Sequence, residues 1–100
     1  MTVIEVIRKD NLISNVNILG HSNYDLIGKD IVCSSISSIV ITTINGIIAI
    51  NKDYLKYQAT EGKIRIEVIN NDEVCNKLLE NMILLLSELA TQYPKNVTLK

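Results

Sequence analysis

Asp30-Ile31-Val32-Cys33-Ser34-Ser35-Ile36-Ser37-Ser38-Ile39-Val40-Ile41-Thr42-Thr43-Ile44-Asn45-Gly46-Ile47-Ile48-Ala49-Ile50 is the stretch on which the fold turns. From Ile31 onward it carries no charge over the length a membrane helix needs. Its many β-branched side chains favour strand over helix. The polar residues decide otherwise. Ser34, Ser38, Thr42 and Asn45 recur every three to four positions, opposite Val32, Ile36, Ile39, Thr43 and Ile47, which is the spacing of one helix face. A strand of this length would be exceptional, and Asp30 supplies an N-cap. Positive flanks of a membrane span are missing, because Lys29-Asp30 and Lys52-Asp53 are balanced pairs. The expectation is a buried amphipathic helix with no membrane partner, its Ser/Thr stripe available to a second subunit.

Working outward, the segments on both sides alternate with a period of two. Val3 to Arg8 reads as a strand, Lys9-Asp10-Asn11 as a turn, and Leu12 to Leu19 as a second strand. In that second strand Leu12, Ser14, Val16 and Ile18 are expected on one side and Ile13, Asn15, Asn17 and Leu19 on the other. Gly20 to Gly28 breaks all periodicity and reads as an exposed loop. Beyond the helix, Tyr54 to Ala59 and Lys63 to Ile69 form a second hairpin across Thr60-Glu61-Gly62. Asn70-Asn71-Asp72 opens a second helix with Val74, Leu78, Met82, Leu85 and Leu89 as its expected apolar stripe. Val97 to Leu99 is a short edge strand after Pro94. The order strand, strand, helix, strand, strand, helix predicts an α+β fold: an antiparallel sheet with both helices packed on one face.

The chain has 100 residues, which suits a single domain over residues 1–100. Ile and Leu dominate the apolar content and the aromatics are four Tyr, so the core should be branched aliphatic. A formal net charge of −1, with no basic run longer than Arg8-Lys9, argues against a direct nucleic-acid surface. Cys33 and Cys75 are too few for a secreted disulfide framework. With one His they do not make a four-ligand zinc site, so no metal or cofactor is expected. Met1-Thr2-Val3-Ile4-Glu5 lacks a signal pattern, which points to the cytoplasm.

Chemistry concentrates in Gly20-His21-Ser22-Asn23-Tyr24-Asp25-Leu26-Ile27-Gly28-Lys29-Asp30-Ile31-Val32-Cys33, which holds the only His and one of the two Cys. If Asp30 caps the helix, Cys33 lies in its first turn, where unpaired N–H groups and the helix dipole favour a thiolate. His21, at the end of the second strand, is positioned to take the thiol proton and return it to a leaving amine. Backbone N–H groups at or just after Cys33 are the candidates for an oxyanion hole. Gly20 and Gly28 bracket a loop expected to move, completing the His–Cys pair only when a peptide orders it. Gly20, Ser22, Tyr24, Ser34 and Ser37 are the candidates for lining a peptide-binding surface, and Cys75 is expected to be a small packing residue.

Gly20-His21, then Gly28-Lys29-Asp30-Ile31-Val32-Cys33 with Ser37 four positions on, resembles the signature of the ribosomal-processing cysteine proteases. Thr43-Ile44-Asn45-Gly46 is similar to that family's Thr-any-Asn-small pattern, and length and element order agree over essentially the whole chain. The resemblance implies a bacterial endopeptidase with Cys33 as nucleophile and His21 as base. It implies a homodimer whose substrate is the N-terminal extension of a large-subunit ribosomal protein (number twenty-seven of that subunit). Cleavage in that family follows an aromatic pair and leaves a small residue at the new N-terminus. Asp30 matches the family's acidic position, either orienting His21 or only capping the helix. This chain departs from the pattern in having Ser34-Ser35 where Ala or Gly often follows the Cys, and Ser22 where Ala often follows the His. Two other readings stay open on sequence grounds: a non-catalytic ribosome-associated peptide-binding protein, and a thiol redox sensor or scaffold.

Overall fold

The computed structural model describes residues 1–26 and 29–100; the expectation attached to Gly28 as a loop hinge lies outside them. Strands β1 (Thr2–Lys9) and β2 (Leu12–Leu19) are followed by helix α1 (Ile31–Ile50), strands β3 (Leu55–Thr60) and β4 (Lys63–Val68), helix α2 (Glu73–Gln92) and strand β5 (Val97–Leu99). The sheet order is β3-β4-β2-β1-β5. Every pairing is antiparallel except β1 with β5, which makes the sheet mixed. The fold is α+β, as the sequence pattern predicted.

Local chemistry accounts for the turns. Asp10 and Asn11 both have positive φ, 53° and 66°, and together form the two-residue hairpin loop whose twist matches the flanking strands. Gly62, with φ 72°, closes the β3–β4 hairpin.

The expected alternation in β2 fails at one place. Ile7 pairs with Asn15 but Arg8 pairs with Ile13, so Ser14 is an extra residue and the register slips. The bulge turns Ile13 onto the face of Val16 and Ile18, and all three are buried. It also frees backbone groups that α2 and the residues leading into it then satisfy: the Ile13 N–H donates to Asn76 Oδ1 at 2.9 Å, and Asn71 Nδ2, just before the helix, donates to the Ile13 carbonyl at 3.1 Å.

The core is aliphatic, with no aromatic ring in its fully buried part. Ile4, Ile13, Val16, Ile18 and Ile66 from the sheet meet Val32, Ile36, Val40, Ile44 and Ile47 of α1, and Cys75, Leu79, Met82 and Leu86 of α2. The polar stripe of α1 is where the sequence put it, since Ser34, Ser38, Thr42 and Asn45 are all exposed. Its buried face is rotated slightly, taking Val40 and Ile44 where Ile39 and Thr43 were expected to be central. Thus α1, long and apolar enough to cross a membrane, lays one full face on the protein's own core. In α2 the expected stripe is corrected by one residue: Val74 and Leu85 are exposed, and Cys75, Leu79 and Leu86 are buried beside Met82. The run Ile83-Leu84-Leu85-Leu86 is apolar on every side, so pattern alone did not fix the phase.

Candidate active site

Two glycines set the site's frame. At the end of β2 the Gly20 N–H donates to the Gly62 carbonyl at 2.8 Å, tying the loop's start to the β3–β4 turn. Gly20 has φ 87°, and a Cβ there would lie 2.6 Å from the Met1 carbonyl oxygen, so no other residue fits without moving backbone. This locked geometry argues against Gly20 as a hinge. His21 follows, and its imidazole lies directly over Gly62, where an added Cβ would come within 3.1 Å of Nε2.

Asp30 organises the other wall. As the N-cap of α1 it accepts from the Val32 and Cys33 N–H groups on Oδ1, at 3.0 and 2.9 Å. Its Oδ2 accepts from the Ser22 hydroxyl at 2.5 Å, the Tyr24 N–H at 3.0 Å and the Asp25 N–H at 3.3 Å. Burial alone would push this carboxyl up. The bonds from Ser22 and from the Cys33, Asp25 and Tyr24 N–H groups outweigh it, and its pKa is lowered to about 2. Asp30 therefore caps the helix and gathers the loop onto it; none of its hydrogen bonds goes to His21.

Cys33, the third residue of α1, is partly exposed. Its sulfur receives the Ser22 N–H at 3.3 Å and lies 3.2 Å from the Ser22 hydroxyl. Expected on the peptide-facing surface, Ser22 is instead 0% exposed, turned inward by these bonds and held from behind by Asn96 Nδ2, which donates to its carbonyl at 2.9 Å. Tyr24 remains on the surface, 46% exposed, edge-to-face with Tyr93 at 5.4 Å between ring centroids.

A cavity of about 390 Å³ opens between these walls, lined by His21, Asn23, Asp25, Asp30, Cys33, Ser34, Ser37 and Glu61. It brings together Cys33, His21, Asp30, Ser34 and Ser37 from the sequence-derived set. Glu61, from the β3–β4 turn some forty positions from His21, was not foreseen, nor was Asn96; neither carries a local signal. The expected oxyanion donors are otherwise engaged. The Cys33 N–H is bound to the Asp30 side chain and the Ser34 N–H to the Asp30 carbonyl at 3.1 Å, because a well-capped helix satisfies its own first turn. Among the described residues no group of three His, Cys, Asp or Glu side chains is arranged to hold a metal ion. Chemically, the cavity offers a partly exposed thiol at a helix N-terminus, an imidazole, and an acidic rim.

Residues 1–98 match the profile of the family described as cysteine protease Prp. A Staphylococcus aureus protein, the ribosomal processing cysteine protease Prp, is 26% identical over 103 residues, spanning 99% of this chain and 96% of its own. Among solved structures, the essential ribosomal processing protease Prp of S. aureus, in complex with a covalently linked product peptide, superposes with a TM-score of 0.93. That match is 21% identical and covers 100% of this chain and 98% of the other, a likeness of fold. A Streptococcus mutans protein that is 28% identical superposes with a TM-score of 0.88, over 100% of this chain and 92% of its own.

Proposed function

The chain belongs to the Prp family of cysteine proteases, and from that premise we propose that it removes the N-terminal extension of a large-subunit ribosomal protein, number twenty-seven, with Cys33 as nucleophile and His21 as general base. The observation that carries this reading is the shared cavity: the thiol from α1 and the imidazole from the end of β2 open into one space roomy enough for a peptide segment. Cys33 Sγ attacks the scissile carbonyl, and His21 takes the thiol proton and delivers it to the departing amine. Water then releases the acyl-enzyme. Asp30 acts as cap and loop anchor rather than as an orienting partner of His21, which is the reading its five hydrogen bonds favour. Ser34, Ser37 and Tyr24 contact the peptide from the rim.

The S. aureus relative has been solved with a substrate peptide and with a covalently linked product peptide, which supports a peptide as the ligand class here. The enzyme works in the cytoplasm as a homodimer. Support for the dimer comes from the groove of about 620 Å³ between α1 and α2, where the exposed Ile31 and Leu85 and the half-buried Ile39 and Leu89 lie beside the serines of α1. Sedimentation at micromolar concentration tests the dimer; a monomer at that concentration removes it.

The decisive experiment is incubation with the extension peptide followed by mass analysis, for wild type and Cys33→Ser. Cleavage after an aromatic pair by the wild type alone supports the proposal. An intact peptide with wild type, or equal product with Cys33→Ser, overturns it.

A further inference from the structure

Ser22, next to His21, is fully buried and carries a hydroxyl. That hydroxyl lies between two reactive groups, 2.5 Å from Asp30 Oδ2 and 3.2 Å from Cys33 Sγ. Proton bookkeeping fixes the direction of both contacts. Asp30 stays ionised down to about pH 2, so it only accepts, and the short contact is donated by Ser22. With its single proton on Asp30, the Ser22 oxygen turns lone pairs toward the sulfur. The second contact is then a hydrogen bond only when Cys33 brings its own proton, as S–H···O.

We propose that Ser22 is a positioning residue that latches Cys33 in its protonated form, bonded into the loop rather than to His21. This rests on the reading of Cys33 as the nucleophile. Forming the thiolate requires the Ser22 hydroxyl to swing its proton from Asp30 to the sulfur, because a lone pair facing an anion is repulsive. Asp30 tolerates the exchange, keeping the N–H groups of Val32, Cys33, Tyr24 and Asp25. The Ser22 N–H stays on the sulfur in both states, and Asn96 holds the Ser22 carbonyl, so the hydroxyl proton is the part that moves. Until it moves, the nucleophile is held in reserve.

Removing the hydroxyl while keeping the N–H separates these contributions. The charged and titratable groups around the sulfur are Asp30 from the α1 cap, His21 and Asp25 from the loop, and Glu61 from the β3–β4 turn; Ser22→Ala leaves each of them in place. The rate of Cys33 alkylation by iodoacetamide, followed by intact mass between about pH 5 and pH 9, is the readout. Ser22→Ala is expected to move the profile about one unit toward acid, making alkylation about tenfold faster on its acidic limb. Ser22→Thr, which keeps a hydroxyl, is expected to return it toward wild type. An unmoved profile in Ser22→Ala, or one moved toward alkaline, overturns the proposal.

A measurement on the unmodified chain guards against misfolded variants. The infrared S–H band assigned to Cys33 by difference against Cys33→Ser should lie at the lower frequency of a hydrogen-bonded thiol. A band at the free-thiol position overturns the latch. Neither readout uses a peptide, so loss of the latch and loss of the proteolytic reading are distinguishable.

Discussion

The two helices begin with nearly the same four residues, Asp30-Ile31-Val32-Cys33 for α1 and Asp72-Glu73-Val74-Cys75 for α2. In both, the Asp is the N-cap and its carboxylate accepts from the Cys N–H, at 2.9 Å in α1 and 3.0 Å in α2. There the likeness ends. Cys33 borders a cavity beside His21 and touches Ser22, whereas Cys75 is 0% exposed among core aliphatics. The free oxygen of Asp30 gathers a loop; that of Asp72 accepts from the exposed Tyr54 hydroxyl at 3.0 Å. A local phrase thus dictates a cap and the placement of a thiol, and the rest of the chain decides whether that thiol does chemistry. At α1 a loop and a distant turn stand opposite it; at α2 the core does.

The sharpest way to break this contrast is catalytic. Cys33→Ala should reduce peptide cleavage by about a thousandfold or more. Cys75→Ala should leave the cleavage rate per folded molecule within about threefold while lowering the melting temperature, because it opens a small hole in the core. Comparable losses of cleavage in the two variants would erase the distinction.

Thiol reactivity draws the same line more finely. In the native protein iodoacetamide should modify Cys33 at least about a hundred times faster than Cys75, as read by peptide mapping. Burial first and the Asp72 charge second push the Cys75 thiol up, which adds to its inaccessibility. Equal labelling under native conditions would mean that the α2 thiol is not sealed.

The caps themselves should differ in weight. Asp30→Ala is expected to cost about 2 kcal/mol in denaturant unfolding, because it strands the buried Ser22 hydroxyl and loosens the loop as well as the helix. Asp72→Ala, whose second oxygen holds only the exposed Tyr54 hydroxyl, should cost less. The reverse ranking would mean that the loop is not anchored through Asp30.

The smallest effect is in acid. A carboxyl whose folded pKa is below its ordinary 3.8 lends stability above that value and loses it as the proton binds, so the contribution of Asp30 fades as pH falls from 3.8 toward 2. Thermal melts between about pH 5 and pH 2 should therefore slope less steeply for Asp30→Asn than for wild type. Parallel slopes would contradict the sign of the shift.

What could be read in advance follows the same division between local and distant causes. The α1 helix, its Asp30 cap and the first-turn position of Cys33 were legible because they depend on residues within one turn of each other. The α2 phase slipped by one because a continuous apolar run offers two equivalent faces until the sheet selects one. The face of Ile13 was hidden by the Ser14 bulge, whose freed backbone groups find partners at Asn71 and Asn76, more than fifty positions away. In the site, the inward turn of Ser22 and the presence of Glu61 required tertiary structure: the first follows from the bonds of Ser22 to Asp30, Cys33 and Asn96, the second from the end of β2 meeting the β3–β4 turn.

That meeting has a practical side. The imidazole rests on the bare Cα of a surface turn, so the turn's length and its glycine are part of the site although they lie far away in sequence. Anyone choosing where to splice an affinity tag or a reporter sequence would pick a tight, exposed hairpin, and the protein offers two. The one at Asp10-Asn11 should accept foreign residues; the one at Glu61-Gly62 should not, because lengthening it removes the floor beneath His21.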